Sequence, residues 1–164
     1  MGPFIIDSNF FIQAHRSTYP LDVATSFWSK INLLAMAGKI FSIDKVKVEI
    51  YKNNDDLSIW CNRNLQNRFF MDSSNVILEY TRVIQTANSR VPKYNQRALD
   101  TFFDADEADA WLIAHALAKN FPIVTHEISA PLKIANVKIP DICQILNIPT
   151  LTTIEMFRQL GESF

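Results

Sequence analysis

The chain has 164 residues, 48% of them hydrophobic, which predicts one domain over residues 1–164 with a full core. Sixteen Lys and Arg stand against seventeen Asp and Glu, a net charge of -1. This near-neutral balance excludes a global basic field, so any nucleic-acid binding must use a local patch. The two cysteines, Cys61 and Cys143, lack the spacing of a zinc site or a disulfide framework.

The first residues carry no secretory leader, and no apolar run reaches the length of a membrane span. With only two cysteines, the chain suits a reducing compartment. We therefore expect a soluble, cytoplasmic protein with no membrane partner.

The first third of the chain predicts alternating strands and helices. Phe4–Ile6 is a short apolar run, typical of a strand buried on both faces. A short helix follows from Ser8 or Asn9, and a longer one covers residues 24–37 and ends at Gly38. A second strand at Ile40–Ile43 then leads into a helix capped by Asp44.

The rest of the chain continues this alternation. Residues 53–100 predict several helices and no strand. The later elements are a helix at 106–119, a strand at 123–125, an extended piece at 137–139, a helix at 141–146, a strand near 150–151 and a helix through 156–157. The predicted fold class is α/β, a three-layer α/β/α sandwich with a mainly parallel sheet of about four to five strands.

Acidic residues recur where the predicted sheet ends. Asp7 follows the first strand, Glu127 follows the strand at 123–125, Asp109 opens an apolar helix, and Glu49 lies in an early helix. Ligands of open parallel sheets bind beyond the carboxyl ends of the strands. Because unpaired buried carboxylates are costly, their convergence predicts a divalent cation.

The acids have the chemistry for phosphodiester hydrolysis. Magnesium and manganese take oxygen ligands, and two such ions can activate water and stabilise a leaving oxygen. Asp7, Asp109 and Glu127 have the identity and placement of metal ligands. Glu49 would approach either a metal or the attacking water.

Several acids also have ordinary structural explanations. Asp104 and Glu107 are interpreted as charges that complement a helix N-terminus, and Asp106 stays open between that role and metal binding. Glu49 taken alone is typical of a solvated helix residue. Asp141 is interpreted as a helix N-cap. The three histidines lack metal-ligand spacing, and a supporting role for His126 stays open.

Four segments resemble, in order, the four acidic motifs of PIN domains. They are FIIDSN at residues 4–9, SI at 42–43 leading to VE at 48–49, ADAWLIAHAL at 108–117, and IVTHE at 123–127. The resemblance covers nearly the whole chain, and the segment from Lys138 to Cys143 is similar to a bacterial branch of that superfamily.

The resemblance implies a magnesium- or manganese-dependent ribonuclease, often the toxin of a VapBC-type toxin-antitoxin pair with a small antitoxin protein as partner. It implies that Asp7, Glu49, Asp109 and Glu127 are the metal-site quartet, although the family commonly has Asp where Glu127 stands. Ser8 or Asn9 and Thr125 would be supporting polar groups that orient carboxylates or water.

An RNA substrate needs cations beside the acids. Arg90, Lys93 and Arg97 with Tyr94 are the best local candidate, because Arg and Lys contact phosphates and an aromatic ring stacks on a base. The alternative is a solvated helical face. Further cations are Arg63 and Arg68 near Phe69 and Phe70, and Arg16 and Lys45 near the acids in sequence. Exposed Phe and Trp in the first helices would suit a homodimer.

Other functions stay open. The alternative to a ribonuclease is a catalytically silent PIN-like module that binds RNA or protein. A third possibility is a phosphatase or phosphoacceptor protein with Asp7 as nucleophile, whose haloacid-dehalogenase-like version would require Asp at position 9, where this chain has Asn9. A Toprim-like nuclease would place its Asp-x-Asp after a strand, whereas Asp104 and Asp106 lead into a helix.

Overall fold

The computed structural model describes residues 2–164. Its sheet has five parallel strands in the order β3-β2-β1-β4-β5. The strands are β1 (Phe4–Ile6), β2 (Ile40–Ile43), β3 (Phe70–Met71), β4 (Ile123–Val124) and β5 (Thr150–Leu151). This arrangement confirms the predicted α/β class, and the short strands make a narrow sheet.

Nine α-helices flank the sheet in the described residues, which gives the predicted three-layer α/β/α sandwich. They are α1 (Ser8–Gln13), α2 (Thr25–Met36), α3 (Asp44–Lys52), α4 (Asp56–Asn64), α5 (Ile77–Ser89), α6 (Gln96–Phe102), α7 (Ala108–Lys119), α8 (Ile139–Ile145) and α9 (Thr153–Leu160). A π-helical turn at Ala14–Thr18 and 3-10 turns at Asn67–Phe69 and Ser73–Val76 complete the regular structure.

The central strand is β1, whose three apolar residues are completely buried. Phe4 pairs with Ile40 of β2 on one side, and Ile5 pairs with Ile123 of β4 on the other. A strand covered on both faces has no solvent side, which explains why its sequence is apolar without alternation.

The strand order places a topological switch point between β1 and β4. The chain passes from β1 to β2 and β3 on one side of the sheet, and then adds β4 and β5 on the other side. Loops that leave such neighbouring strands in opposite directions open a crevice at their carboxyl ends. Asp7 follows β1 at this point, and Thr125 follows β4.

The aromatic residues of the first helices lie in the core. Phe10 and Phe27 pack with ring centroids 5.9 Å apart, and Trp28 donates a 2.7 Å hydrogen bond from Nε1 to the Tyr19 carbonyl. Phe10, Phe11, Phe27 and Trp28 are all buried. This corrects the expectation that they form an exposed surface for a homodimer.

Some predicted elements differ from the structure. Residues 53–100 contain a strand, β3, which is only two residues long and pairs with the end of β2. Helix α7 begins at Ala108 rather than residue 106, and α8 begins at Ile139 rather than residue 141.

Two sequence expectations concern the cysteines and membrane contact. Cys61 and Cys143 are buried free thiols. Within residues 2–164, none of the helices combines the length and apolar character that a bilayer crossing requires.

Candidate functional site

Asp7 lies at the switch point of the sheet. Its N–H donates to the Val124 carbonyl at 3.1 Å, which continues the pairing of β1 with β4. Its side chain is fully buried, and Oδ2 accepts a 2.8 Å hydrogen bond from Thr125 Oγ1. Beside it, the Ser42 hydroxyl donates to the Ile6 carbonyl at 2.7 Å. Asp7 is therefore held rigidly between the ends of two strands.

The surroundings of Asp7 disfavour its negative charge. Its pKa is raised from 3.8 to about 6, mainly by burial and also by the nearby charges of Glu127 and Glu49, while the Thr125 hydrogen bond opposes this increase. A carboxylate in such surroundings gains from a proton or from a metal cation.

Asp109 lies in the first turn of α7 and is partly exposed. Burial raises the pKa of its carboxyl well above the ordinary value, and the charges of Asp7 and Glu127 raise it further. Within residues 2–164, no hydrogen bond or ion pair reaches this carboxylate. Among Asp7, Glu49, Asp109 and Glu127, Asp109 is thus the acid without a hydrogen-bond donor or cation as partner.

Glu49 reaches the same region from α3. Its Oε1 accepts a 3.3 Å hydrogen bond from the N–H of Ala108, the first residue of α7. Burial raises the pKa of Glu49, while the Ser8 hydroxyl lowers it by hydrogen bonding. Ser8 also lies 3.4 Å from Asp7 Oδ1, so it links the two acids.

Glu127 is bound by groups of the β4-α8 connection. Its Oε1 lies 3.1 Å from Lys138 Nζ, and its Oε2 accepts a 2.8 Å hydrogen bond from the N–H of Ile139. Its own N–H donates to Thr125 Oγ1 at 3.1 Å. The Glu127 side chain is 12% exposed.

The structure thus brings Asp7, Glu49, Asp109 and Glu127 into one neighbourhood, here called the acidic cluster, in which their charges act on one another. Their carboxylate oxygens are of the type that magnesium and manganese prefer. Yet no three His, Cys, Asp or Glu side chains in residues 2–164 form a ready metal-binding group. Protein donors already contact oxygens of Asp7, Glu49 and Glu127.

Two adjoining pockets share Glu127 and Lys138. The first, of about 550 Å³, also includes Asp109, Glu107 and Arg97, and we call it the Arg97 pocket. The second, of about 580 Å³, also includes Asn9, His126 and Lys133, and we call it the Lys133 pocket. Each has the size of an ordinary small-ligand site.

Asp106 lies outside the acidic cluster. Its side chain is 90% exposed, and its nearest cation is Lys45 Nζ at 3.8 Å. Asp104 and Glu107 are also exposed, and Asp104 Oδ1 accepts from the Asp106 N–H at 2.9 Å. Because α7 begins two residues later than expected, Asp106 belongs to a solvated turn and not to the helix.

The supporting residues divide into two groups. Thr125 orients the Asp7 carboxylate directly and fixes the backbone of Glu127. Asn9 lines the Lys133 pocket, as does His126. His126 Nε2 lies 2.9 Å from Thr153 Oγ1, and burial lowers the pKa of the imidazole.

The expected RNA-binding group is only partly exposed. Arg90 and Tyr94 are buried, and the guanidinium carbon of Arg90 lies 3.7 Å from the centre of the Tyr94 ring. Arg90 donates to the carbonyls of Pro92 and Lys133 at 2.9 and 3.0 Å. As a correction, these two residues stabilise loops, whereas Lys93 and Arg97 remain exposed.

Two residues near the acidic cluster had structural roles that the sequence did not reveal. Lys138 pairs with Glu127 across the β4-α8 connection. Asp141 is buried and accepts from Ser129 Oγ at 2.6 Å and the Ala130 N–H at 3.0 Å, so it tethers that connection instead of capping α8, whose N-cap is Lys138.

The family of the chain is known from comparison with family models. Residues 4–164 match the model described as Domain of unknown function (DUF4411), so the chain belongs to that family. A comparison with curated proteins finds no match.

Proposed function

We propose that this member of the DUF4411 family is a magnesium- or manganese-dependent endoribonuclease of the PIN type. The observation that carries the proposal is the acidic cluster at the switch point of a parallel sheet. Asp7 is buried there at the end of β1, and Asp109 faces the same cluster without a donor of its own. A site for a divalent cation accounts for this otherwise costly arrangement.

Asp7 and Asp109 are the proposed metal ligands. Their raised pKa values mean that each carboxylate gains from an added positive charge. A bound ion supplies Lewis-acid chemistry and lowers the pKa of water. Thr125 holds the Asp7 carboxylate in place through its 2.8 Å hydrogen bond.

Glu49 is the proposed base or orienting group for the attacking water. Its carboxylate is anchored by the Ala108 N–H through Oε1, and a carboxylate has further lone pairs that can accept a hydrogen bond from water. Burial raises its pKa toward the range in which a carboxylate accepts a proton more effectively.

RNA is the proposed substrate because cations border the acids. Arg97 and Lys138 line the pocket that contains Asp109, and Lys133 lines the neighbouring pocket.

The similarity of the four sequence motifs to PIN domains points to RNA and to the role of toxin in a type II toxin-antitoxin pair. That biological role includes a small antitoxin partner and a cytoplasmic location, and a neighbouring reading frame whose product relieves toxicity would test it.

The decisive experiment is metal-dependent cleavage of a panel of structured RNAs. Asp7→Asn and Asp109→Asn should abolish cleavage while circular dichroism shows an intact fold. The matched control is Asp106→Asn, which changes an exposed acid outside the cluster and should keep wild-type activity. Cleavage by Asp7→Asn at the wild-type rate would overturn the proposed mechanism.

A second candidate is a catalytically silent module that binds RNA or protein. It is favoured by the engaged oxygens of Glu127 and by the lack of a ready metal-binding group in the described residues. Calorimetric titration with manganese separates the candidates. A ribonuclease should bind manganese and lose this binding in Asp109→Asn, whereas a silent module should bind no manganese at the acidic cluster.

A further inference from the structure

The ion pair of Glu127 and Lys138 leaves part of the ammonium group free. Lys138 Nζ lies 3.1 Å from Glu127 Oε1, and the Lys138 side chain is 33% exposed. An ammonium group has three N–H donors, and this contact uses one of them. The remaining donors can reach an anion in either of the pockets that Lys138 lines.

The positions of the cations define a path across the acidic cluster. Arg97 belongs to the first pocket, Lys133 belongs to the second, and Lys138 with Glu127 belongs to both. We call Arg97, Lys138 and Lys133 the basic track. Three cations in adjoining pockets match a chain of phosphates better than they match a single small anion.

The loop that carries two of these cations is anchored at several points. Arg90 donates to the Lys133 carbonyl at 3.0 Å, and the Asn95 N–H donates to the Ile134 carbonyl at 3.0 Å. At the other side of the loop, Asp141 accepts from Ser129 Oγ at 2.6 Å. Anchoring of this kind fixes where Lys133 and Lys138 stand relative to the acids, as a pre-organised binding surface requires.

We infer that the basic track binds the backbone of single-stranded RNA, with Lys138 as the central phosphate contact beside the acidic cluster. This inference rests on the proposed function and adds the path of the substrate. The RNA strand runs from the Arg97 pocket to the Lys133 pocket and passes Asp109 and Glu127 on the way.

The opposing explanation is that Lys138 only forms a stabilising ion pair. Partly exposed ion pairs contribute little to stability, so such a role predicts a small change in the unfolding temperature and no change in RNA affinity. The salt dependence of RNA binding separates the two explanations, because it counts phosphate contacts and does not respond to a purely structural pair.

The test measures binding without cleavage. A fluorescently labelled single-stranded RNA of about 12 nucleotides is titrated with the protein in excess chelator, and anisotropy is followed over a series of salt concentrations. The variants are Lys138→Gln, Arg97→Gln, Lys133→Gln and the conservative Lys138→Arg. The matched control is Lys39→Gln, since Lys39 is exposed at the amino-terminal edge of the sheet, next to β2.

Each Gln variant of the track should weaken RNA binding several-fold at low salt and reduce the salt slope by about 0.7, the value for one phosphate contact on a single strand. Lys138→Arg should retain most of the affinity, and Lys39→Gln should match the wild type. Thermal unfolding of every variant checks that the fold is kept.

Two results would overturn the track: a wild-type protein that binds no RNA at the lowest salt, or a Lys138→Gln protein whose affinity and salt slope match those of Lys39→Gln. Failure of the track is distinguishable from failure of the ribonuclease. Metal-dependent cleavage with an unaffected Lys138→Gln variant would mean that RNA crosses the site elsewhere. RNA binding along the basic track without any cleavage in manganese would contradict the ribonuclease function and support the proposed RNA path.

Discussion

Thr125 Oγ1 donates a 2.8 Å hydrogen bond to Oδ2 of Asp7, and this contact joins the carboxyl ends of β1 and β4 across the switch point. The same hydroxyl oxygen accepts the N–H of Glu127 at 3.1 Å. One side chain thus fixes a buried carboxylate and the start of the β4-α8 connection. A hydroxyl suits this position because it can donate and accept at once.

We expect Thr125→Val to destabilise the protein by about 1–3 kcal/mol, because Asp7 and the Glu127 N–H both lose a partner while the volume changes little. The loss should be larger near pH 8, where Asp7 is ionised, than near pH 4.5. Urea unfolding at both pH values measures it. Thr125→Ser keeps the hydroxyl and is the control; equal stability of Thr125→Val and wild type near pH 8 would contradict the role of this bond.

We expect the metal-free protein to lose stability as the pH rises from about 4 to above 6. Burial raises the pKa of Asp7 from 3.8 to about 6, so the folded state binds more protons than the unfolded state in this range. Stability is then highest when Asp7 is protonated, and it falls as the pH passes the folded pKa. The contribution of Asp7 is on the order of 3 kcal/mol.

Asp7→Asn should remove this part of the pH dependence. The variant should be more stable than the wild type near pH 8 in chelator and should show little gain near pH 4.5. Chemical unfolding across the pH range provides the measurement. The prediction would be contradicted if the stability of the wild type rose steadily between about pH 4 and 7 and Asp7→Asn followed the same curve. Ionisation of Asp7 would then not destabilise the folded state.

We expect manganese binding to release protons, because the metal requires ionised carboxylates and the pKa values of Asp7 and Asp109 are raised. The affinity should therefore fall as the pH drops below about 6. Calorimetry in two buffers of different ionisation enthalpy measures the proton release. Asp109→Asn should reduce both release and affinity, and Asp106→Asn should change neither.

Metal should also stabilise the fold. A ligand that binds only the native state at 100 times its Kd adds about 2.7 kcal/mol, so manganese should raise the melting temperature of the wild type. Scanning calorimetry with manganese and with chelator tests this. A melting temperature that does not respond to manganese near pH 8, at concentrations up to several millimolar, would contradict a metal site in the acidic cluster.

Arg90 and Arg97 should respond to substitution to different extents. Arg90→Lys loses the planar stacking on Tyr94 and one of its two carbonyl contacts, so we expect a loss of about 1–3 kcal/mol in unfolding free energy. Arg97 is exposed, and Arg97→Lys should change stability by less than about 0.5 kcal/mol. Urea unfolding of both variants makes the comparison, and equal losses would contradict the assignment of Arg90 to the interior.

Local pattern was sufficient for the central elements of the fold. Phe4–Ile6 is apolar throughout because β1 is covered on both faces, and Gly38 ends α2 with a positive φ of 67°. It was insufficient for β3, since Phe70–Met71 is a two-residue edge strand whose pairing with β2 is the only feature that defines it. Such a short pair has no periodicity of its own.

The candidate site likewise combines features that follow from local sequence with features that depend on tertiary contacts. The sequence by itself determined that Asp7 ends a buried strand and that Asp109 opens an apolar helix, because both depend on residues within one turn or one strand. Only the tertiary structure decided that Arg90 and Tyr94 are interior, that Asp106 is solvated, and that Lys138 pairs with Glu127. Partners that lie distant in sequence decide burial and ion pairing, and the chain must fold before those partners meet.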